Sequence, residues 1–394
     1  MISNKVLENL NRSSLIRVMF EEGEKLRRIY GKEKVYDFSL GNPDPEPPLK
    51  LKAALQQLVL EDNPGLHGYM SNAGFPEVRA KIAEAINRDT AKTLTGENII
   101  MTLGAGGALN VVLKTLLNPG EEVIVFKPYF GEYQFYIQNY DGKMVEISTN
   151  PDTFEPDLDL LEKSITPLTK AVIINSPNNP TGVVYCEKLL KEMAAILEKK
   201  ERDFGSAIYV ISDEPYSKLV YEGVKIPPVL NIFKNSILVN SFSKSHSLAG
   251  ERIGYIAVND SLDGLKDLLK GLIFCNRILG YVNAPALFQK VVAMTLSDTV
   301  DPHIYQERRD ILYNSLIEMG YSCVKPQGAF YLFPKSLIPD DMEFKDHALK
   351  HNLVIVPGSG FNCPGYFRIS YCVSLETIKN SLPAFSALAK EFLS

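Results

Sequence analysis

Short apolar runs alternate with longer, partly polar stretches through the middle of the chain. Runs with the length and composition of β-strands occur at residues 99–102, 122–126, 171–174, 207–211, 237–239 and 255–258. Their apolar residues are consecutive rather than alternating with polar ones, which is typical of strands that helices cover on both faces. The intervening stretches, such as 108–117 and 187–199, have helical patterns. The alternation predicts an α/β domain whose large sheet is mainly parallel and flanked by helices.

The two ends of the chain have a different pattern. Residues 1–34 indicate a charged, partly amphipathic helical arm, and a proline-rich connector follows at residues 41–48. After Asp301, a long helical pattern precedes short β-type runs at 329–333, 353–356 and 366–371 and a terminal helix. This order predicts a smaller α+β domain. We expect an arm and part of the small domain at 1–46, a large domain at 47–295, and the rest of the small domain at 296–394.

Composition narrows the class of protein. The chain has 394 residues, 45% of them hydrophobic, which is enough for a large core in two lobes. A net charge of −5 and the lack of a lysine- and arginine-rich block argue against a nucleic-acid surface. Five cysteines without CxxC spacing favour a reduced, cytoplasmic protein over a disulfide framework or a metal site. We expect no membrane segment, because no run reaches the ~20 apolar residues that a membrane helix needs.

The segment 241–255 carries the strongest chemical signal. Lys244 follows the apolar run 237–239, so its amine can point from a strand end into a crevice. There it can condense with an aldehyde, either of a sugar or of pyridoxal phosphate. Ser241, Ser243 and Arg252 are the donors that a phosphate requires. Taken alone, Lys244 also fits a solvated lysine on the surface.

Polar and glycine-rich segments follow other predicted strands. Residues 103–108 form a glycine-rich turn that opens a helix, where backbone N–H groups can bind an anion. This turn matches neither a Walker loop nor GxGxxG. Asn179 lies in a loop after the run 171–174, and Asp213 and Tyr216 follow the run 207–211. Taken singly, these segments also fit tight packing, an ordinary loop and a helix N-cap.

Together these residues resemble the fold-type I pyridoxal-phosphate enzymes. The matching elements, in family order, are Asn179-Pro-x-Gly, Asp213-x-x-Tyr216, Ser241-x-x-Lys244 and Arg252. More narrowly, the chain resembles the class I/II aminotransferases that are related to aspartate, aromatic and kynurenine aminotransferases. The resemblance extends over nearly the whole chain, from residues 38–44 to residues 367–370. It implies a large pyridoxal-phosphate-binding domain with a parallel sheet and a smaller α+β domain.

The resemblance also implies a role for each residue around the cofactor. Lys244 would form the Schiff base and then shuttle protons, while Asp213 would keep the pyridine nitrogen protonated. Asn179 and Tyr216 would donate to the 3-oxygen of the ring, and Asn179 would also contact the substrate. The cofactor phosphate would be bound by the remaining candidates, which are Ala105, Gly106, Ser241, Ser243 and Arg252.

The same resemblance implies the other contacts of the site and its dimeric state. Phe130, in preference to Tyr129, would stack on the cofactor ring. Arg368 would bind the substrate α-carboxylate, to which a planar guanidinium is matched, although an isolated arginine in a β-run more often forms a surface ion pair. Gly41 would line the same pocket through its backbone. Tyr69 would reach the phosphate of the neighbouring subunit, so the active unit would be a homodimer with shared active sites.

The expected activity is transfer of the α-amino group of an L-amino acid to a 2-oxo acid by a ping-pong mechanism. A carbon–sulfur or related lyase on the same fold is the alternative. An effector-sensing domain is a remote alternative, since only about 35 residues precede the core. No metal site is expected, because the five histidines lack metal-ligand spacing. His246, close to Lys244, is expected either to contact residues of the site without touching the ligand or to lie on the surface.

Substrate choice depends on the charges near the pocket. A dicarboxylate such as aspartate needs a second cation, for which the candidates are Arg12, Arg17 and Arg277. Aromatic or aliphatic side chains would instead suit Phe130, Tyr129 and Val282. Aspartate and aromatic amino acids are the favoured substrates.

Overall fold

The computed structural model describes residues 2–10, 15–61 and 64–393. Its centre is a seven-stranded sheet made of Ile99–Thr102, Glu122–Lys127, Lys143–Ser148, Thr169–Asn175, Tyr209–Asp213, Ser236–Ser241 and Gly254–Val258. Counted in chain order, these strands lie across the sheet as first, seventh, sixth, fifth, fourth, second and third. Six of these strands run in the same direction, and Gly254–Val258 runs antiparallel to the two strands beside it. The predicted α/β fold with a mainly parallel sheet is confirmed.

The central strands are buried on both faces, because successive side chains of a strand point to opposite sides of the sheet. In Thr169–Asn175, Ala171 packs in one apolar cluster together with the helix Gly104–Leu116. Val172 packs in a second cluster together with the helix Glu187–Phe204. Both faces therefore need apolar residues, which explains the unbroken apolar runs of the sequence.

Helices cover both faces of the sheet and make up most of the remaining structure. In chain order, the α-helices of the described residues are Asn4–Leu10, Leu15–Tyr30, Leu49–Leu60, Pro76–Asp89, Gly104–Leu116, Glu132–Gln138, Leu158–Ser164, Glu187–Phe204, Val229–Ile232, Phe242–Ser245, Leu265–Ile278, Ala286–Met294, Pro302–Glu318, Asp341–Lys350 and Leu375–Leu393. The first two form the predicted N-terminal helical arm. Arg12, a candidate from the sequence, lies outside the described residues.

The smaller α+β domain stands beside the large sheet. Val356–Pro357, Phe367–Ser370 and Tyr331–Leu332 form an antiparallel three-stranded sheet in that order. Tyr36–Asp37 pairs in parallel with Leu353–Val354, so a segment near the start of the chain packs with the C-terminal part. The domain boundaries at residues 46 and 295 stay predictions.

The structure departs from the sequence analysis in two places, one a strand that it missed and one a run that is shorter than expected. Lys143–Ser148 is a strand that the apolar pattern did not reveal, because charged residues interrupt its apolar ones at the edge of the sheet. The β-type run at 329–333 forms a strand only at Tyr331–Leu332. Ala329 has a φ of 58° and cannot continue a strand.

Two further features of the described residues bear on function. No helix among them has the length and apolar character needed to cross a bilayer. Nor does this part of the chain bring together three or more side chains of the types that ligate metals.

Candidate active site

The carboxyl ends of parallel strands meet on one side of the sheet, where ligands bind in open α/β folds. The strand register aligns Asn175 with Asp213. The next strand ends at Ser241, and the short helix Phe242–Ser245 presents Lys244 immediately after it. A cleft of about 280 Å³ opens here. The predicted site residues that line it are Gly41, Ala105, Gly106, Phe130, Asn179, Asp213, Tyr216, Ser241, Ser243, Lys244, Arg252 and Arg368.

Asp213 is a buried carboxylate with one oxygen bound and one oxygen free. The hydroxyl of Tyr133 donates to its Oδ2 at 2.5 Å, whereas Oδ1 is buried without a hydrogen-bond partner. Burial raises the pKa of Asp213 to about 6, and the Tyr133 hydrogen bond opposes that rise. The amide of Asn175 donates to the backbone carbonyl of Asp213 at 2.8 Å, which holds the strand end in place. Oδ1 is therefore positioned to accept a hydrogen bond from a ligand in the cleft.

Lys244 carries an amine that is poised between its charged and neutral forms. Its Nζ donates to the carbonyl oxygen of Gly41 at 2.5 Å and lies 5.4 Å from the centre of the Phe330 ring. Burial lowers the pKa of Lys244 to about 8, with Cys372 opposing this effect and Arg368 and other cationic charge adding to it. A far larger fraction of this amine than of an ordinary lysine is therefore neutral near physiological pH, and a neutral amine is a nucleophile.

Arg368 places a buried positive charge in the same cleft. Its side chain is 1% exposed, and its hydrogen bonds go to the neutral oxygens Asn179 Oδ1 at 3.0 Å and Ser39 O at 2.5 Å. Its Nε has no partner. The guanidinium carbon lies 4.6 Å from the Tyr331 ring centre and 4.8 Å from that of Phe361. A buried guanidinium with neutral partners requires an anion, because isolated buried charges are strongly unfavourable.

One end of the cleft has the form of an anion cradle. Gly104 opens the helix Gly104–Leu116 with a φ of 68°, and a Cβ at this position would lie 2.8 Å from Arg252 Nη2. The first-turn amides of this helix have no partner within the helix, and two of the residues that carry them, Ala105 and Gly106, line the cleft. Ser241 caps the next short helix, its hydroxyl accepting from the Ser243 amide at 3.3 Å. Backbone donors, hydroxyls and a guanidinium thus meet at one end.

Aromatic residues form the walls of the cleft. Phe130 packs its ring against Tyr133 in an edge arrangement, with 5.7 Å between ring centres. The hydroxyls of Tyr216 and Tyr331 lie 2.8 Å apart. Tyr129 does not line the cleft, because its side chain is 3% exposed and its hydroxyl donates to Glu146 Oε1 at 2.5 Å. Of the two adjacent aromatics, Phe130 is the one that faces the cleft.

Two residues from the sequence analysis lie outside this cleft. Tyr69 is 95% exposed and does not reach the cleft of its own subunit, so its role toward a neighbouring subunit stays a prediction. His246 is buried, and its two ring nitrogens bond to Ser245 Oγ at 2.9 Å and Thr295 O at 3.0 Å. The expectation that His246 could be a surface group was wrong.

The structure also adds residues that the sequence analysis missed. Tyr133 binds Asp213, and Tyr331 and Tyr136 line the cleft. The signal for Tyr133 and Tyr136 was their spacing, because residues three apart on a helix share a face. Phe130 lies two residues before this helix, Glu132–Gln138. Tyr331 carried no signal, since its short strand belongs to the other domain.

Comparison with known proteins identifies the family. The family model for class I and II aminotransferases matches residues 33–385. The chain belongs to this family. The aminotransferase is 32% identical to the aspartate/prephenate aminotransferase of Thermus thermophilus, over 88% of this chain and 89% of that protein. It is 31% identical to aromatic-amino-acid aminotransferase 2 of Thermococcus litoralis, over 98% and 97%. The chain also matches the crystal structure of an aminotransferase from Eubacterium rectale, over 100% of each chain, with 41% identity and a TM-score of 0.96.

The family uses pyridoxal phosphate, and the predicted cofactor and enzyme class are confirmed. The residues of this aminotransferase fit that cofactor. The unpartnered Oδ1 of Asp213 is an acceptor for a protonated ring nitrogen. Gly104 leaves open the space beside Arg252 that a Cβ would fill, and this space could take a phosphate. The neutral form of Lys244 would supply an amine for the cofactor aldehyde.

Proposed function

We propose that this aminotransferase binds pyridoxal phosphate and both of its substrates in the cleft around Lys244. When bound, the cofactor supplies an aldehyde carbon and a ring that withdraws electrons from the substrate α-carbon. In this proposal Lys244 holds the cofactor aldehyde and then moves the proton at the substrate α-carbon. The lowered pKa of Lys244, about 8, supports this role because a base acts best when its pKa is near the working pH.

Asp213 and its neighbours would fix the cofactor ring. Asp213 Oδ1 would accept from the ring nitrogen and keep it protonated, with Tyr133 holding the other carboxylate oxygen. Tyr216 would donate to the 3-oxygen of the ring. Asn179 would donate its amide N–H to the same oxygen, since its carbonyl oxygen already accepts from Arg368.

The face of the cofactor ring and the cofactor phosphate would be held by other residues that line the cleft. Phe130 would stack on one ring face. The phosphate would lie in the cradle formed by the amides of Ala105 and Gly106, by Ser241 and Ser243, and by Arg252.

The main support for the proposed substrate binding is the guanidinium of Arg368, which is buried and has no carboxylate partner. It lies in the same cleft as the Lys244 amine and has only neutral hydrogen-bond partners. The α-carboxylate common to amino acids and 2-oxo acids is the anion that completes it, since guanidinium and carboxylate can form two parallel hydrogen bonds. Gly41 would close this end through its backbone, because a Cβ there would overlap the Tyr331 hydroxyl. The substrate would thus be anchored with its α-carbon near Lys244.

The proposal extends to a homodimer in the cytoplasm, with aspartate or an aromatic amino acid as donor. Tyr69 is 95% exposed, as a residue that serves a neighbouring subunit must be before assembly. The five cysteines are free, which fits a reducing compartment. The relatives are named for aspartate, prephenate and aromatic substrates. No observation favours the lyase alternative.

Replacement of Lys244 by alanine tests the proposed chemistry. We expect Lys244→Ala to lose detectable turnover while keeping its fold, because no other amine lines the described part of the cleft. Borohydride should attach the cofactor to the peptide containing Lys244 in the native protein. The matched control is Lys225→Ala, an exposed lysine outside the cleft, which should behave like the native protein. Near-normal turnover of Lys244→Ala would refute the assignment.

A further inference from the structure

Two buried tyrosine hydroxyls from distant parts of the chain meet at the cleft. Tyr216 follows the strand Tyr209–Asp213, and Tyr331 belongs to the short strand Tyr331–Leu332. Their hydroxyl oxygens lie 2.8 Å apart, and the two rings pack edge to face with 5.6 Å between their centres. Both residues belong to one subunit, line its cleft and are at most 4% exposed. The pair is therefore part of the interior of the subunit.

The hydrogen bond between the two hydroxyls has one of two directions, because a phenol carries a single O–H. Either Tyr331 donates to Tyr216, or Tyr216 donates to Tyr331. Neither hydroxyl has another hydrogen-bond partner within the described residues. In the proposed function Tyr216 donates to the 3-oxygen of the cofactor. Its only proton is then in use, and its oxygen can take part in the pair only as the acceptor.

The charges around the pair favour Tyr331 as the donor. The guanidinium carbon of Arg368 lies 4.6 Å from the centre of the Tyr331 ring. Burial raises the pKa of Tyr331 to about 12, while Arg368 opposes that rise and Cys372 adds to it. Burial also raises the pKa of Tyr216 well above its usual value, and there Tyr331 and Asp213 add to the rise while Arg368 opposes it. The carboxylate of Asp213 thus makes Tyr216 the weaker donor and the better acceptor.

We propose that Tyr331 is a positioning residue that donates its hydroxyl proton to Tyr216 and so directs the Tyr216 hydroxyl onto the 3-oxygen of the cofactor. This inference rests on the proposed function of the same cleft. A hydroxyl that accepts a hydrogen bond becomes a stronger donor, because the two bonds polarise each other. Tyr331 therefore strengthens the contact between Tyr216 and the cofactor.

The consequence is a change in the proton balance beside Lys244. In the holoenzyme, the 3-oxygen of the cofactor shares a proton with the nitrogen of Lys244. Donors to the 3-oxygen stabilise its negative charge, so this proton is lost at a lower pH. Loss of the proton changes the visible absorbance of the bound cofactor. Removal of the Tyr331 hydroxyl should therefore raise the pH midpoint of that absorbance change.

The test is a pH titration of the visible absorbance of the holoenzyme without substrate. Tyr331→Phe removes the hydroxyl and keeps the ring that packs against Arg368. We expect its midpoint to rise by roughly half a pH unit, because one hydrogen bond strengthens the next by only a fraction. Tyr216→Phe should raise the midpoint further, since it removes the donor itself. The visible absorbance of each variant checks that it is folded and has bound the cofactor.

Tyr371→Phe is the matched control. Tyr371 is also fully buried, and its hydroxyl lies 3.3 Å from the hydroxyl of Tyr221, but it does not line the cleft. Tyr371→Phe therefore removes one hydroxyl from another buried tyrosine pair. It should leave the midpoint unchanged, and a shift equal to that of Tyr331→Phe would overturn the inference.

Two further variants show whether Tyr331 acts through Tyr216. The double variant Tyr216→Phe/Tyr331→Phe should match Tyr216→Phe alone, because a donor that is absent cannot be strengthened. Additive shifts would mean that Tyr331 acts by another route and would overturn the inference. Replacement of Tyr331 by 3-fluorotyrosine keeps the shape of the residue and makes its hydroxyl more acidic. This replacement should lower the midpoint, so it decides the point even if Tyr331→Phe fails to fold.

The sign of the shift separates the two directions of the hydrogen bond. A lower midpoint in Tyr331→Phe would mean that Tyr216 donates to Tyr331 in the native protein and is released by the substitution. That result, or an unchanged midpoint, would overturn the inference and leave the cofactor assignment standing. An unchanged midpoint in Tyr216→Phe would overturn both the inference and the proposed contact of Tyr216. The absence of visible absorbance from bound cofactor in the native protein would instead count against the proposed function.

Discussion

The proposed recognition of the substrate depends on one buried residue, Arg368. Its guanidinium is buried against the Tyr331 and Phe361 rings, and burial lowers its pKa. Neutral oxygens satisfy only part of its hydrogen-bonding capacity, and its Nε stays unpartnered. In the proposed function, the substrate carboxylate would supply both the counter-charge and the missing acceptor.

Removal of this guanidinium should therefore weaken substrates far more than the cofactor. We expect Arg368→Ala to reduce kcat/KM by about a hundredfold or more, since a charge-assisted bidentate pair contributes roughly 3 kcal/mol. Arg368→Lys should restore only part of the loss, because an ammonium cannot bind a carboxylate through two parallel donors. Steady-state kinetics with several amino acids measures the effect.

Arg79→Lys provides the matched control, as Arg79 is also buried but pairs with Glu97 and lies outside the cleft. It should keep near-native kinetics if it folds. A change below threefold in Arg368→Ala, across several amino acids, would mean that the carboxylate binds elsewhere.

Tyr133 acts through Asp213, and its removal should change the pH dependence of cofactor binding. The Tyr133 hydrogen bond lowers the pKa of Asp213, which burial raises to about 6. In Tyr133→Phe that pKa should rise, so Asp213 becomes protonated at a higher pH. Only the ionised carboxylate can pair with a protonated ring nitrogen. The fall in cofactor affinity on acidification should therefore begin at a higher pH, as measured by titration of apoenzyme with pyridoxal phosphate.

Tyr140→Phe is the comparison for this effect, because Tyr140 donates to Asn110 and is absent from the cleft lining. It should leave the acid limb of the affinity profile in place. An unshifted limb in Tyr133→Phe would show that the tyrosine only packs against Asp213.

Among single residues, the sequence predicted the polar groups that directly follow strands. It did not predict the site residues that come from a short helix or from the other domain. Asp213 and Lys244 were detectable because each comes at the end of an apolar run. Tyr133 and Tyr331 resemble ordinary core aromatics in the sequence. Their contacts depend on the direction of a short helix and on the packing of two domains, which local patterns do not encode.

Among the elements, the turn between Ile99–Thr102 and Gly104–Leu116 carries the proposed phosphate cradle. Gly104 adopts a φ of 68°, which L side chains rarely tolerate, and it lies against Arg252. The pattern of the sequence indicated a glycine-rich anion-binding turn but left tight packing open. The close approach of Arg252 explains the need for glycine at this point.

A side chain at Gly104 should therefore weaken the cofactor more than the fold. We expect Gly104→Ala to raise the dissociation constant of pyridoxal phosphate at least tenfold, because its Cβ would lie 2.8 Å from Arg252 Nη2. Gly120→Ala carries the same kind of backbone strain, at a φ of 85° with open space around it, and should leave that constant unchanged. Equal effects of both substitutions on cofactor affinity would contradict the cradle.

The strands themselves were largely predictable because burial on both faces demands unbroken apolar residues. Thr169–Asn175 and Tyr209–Asp213 follow that pattern closely. Lys143–Ser148 did not, since an edge strand has neighbours on one side only and tolerates charged residues such as Lys143 and Glu146. The limit of prediction was thus set by position in the sheet rather than by strand length.

On the scale of the whole molecule, the cleft combines parts that lie far apart in the chain. Gly41 comes from the N-terminal segment and Arg368 from a strand near the C-terminus, yet both face Lys244. The pairing of Tyr36–Asp37 with Leu353–Val354 brings the segments that carry Gly41 and Arg368 together. The sequence predicted the separate parts, but their convergence required the resemblance to a known family, because pairings across 300 residues leave no local trace.

If the active sites are shared between subunits, two inactive or weakened variants should restore activity when they form a mixed dimer. Tyr69→Phe should weaken cofactor binding by at least tenfold, the effect of losing a hydrogen bond to a charged group, and Lys244→Ala should be inactive. A hybrid dimer of the two variants holds one site with both Lys244 and Tyr69 intact. We therefore expect it to recover up to half of native activity at low cofactor concentration, measured on hybrids purified with two different tags. Activity no higher than that of the separate variants would contradict a role for Tyr69 across the interface.

In the proposed function, this cleft carries an amino group from one substrate to another on pyridoxal phosphate. The most direct measurement is the visible spectrum of the purified protein with this cofactor, first with one L-amino acid and then with a 2-oxo acid. We predict that the amino acid removes the yellow absorbance of the bound cofactor and that the 2-oxo acid restores it. An absorbance that persists while pyruvate and ammonia or a thiol accumulate, or the absence of any absorbance from bound cofactor, would contradict the account.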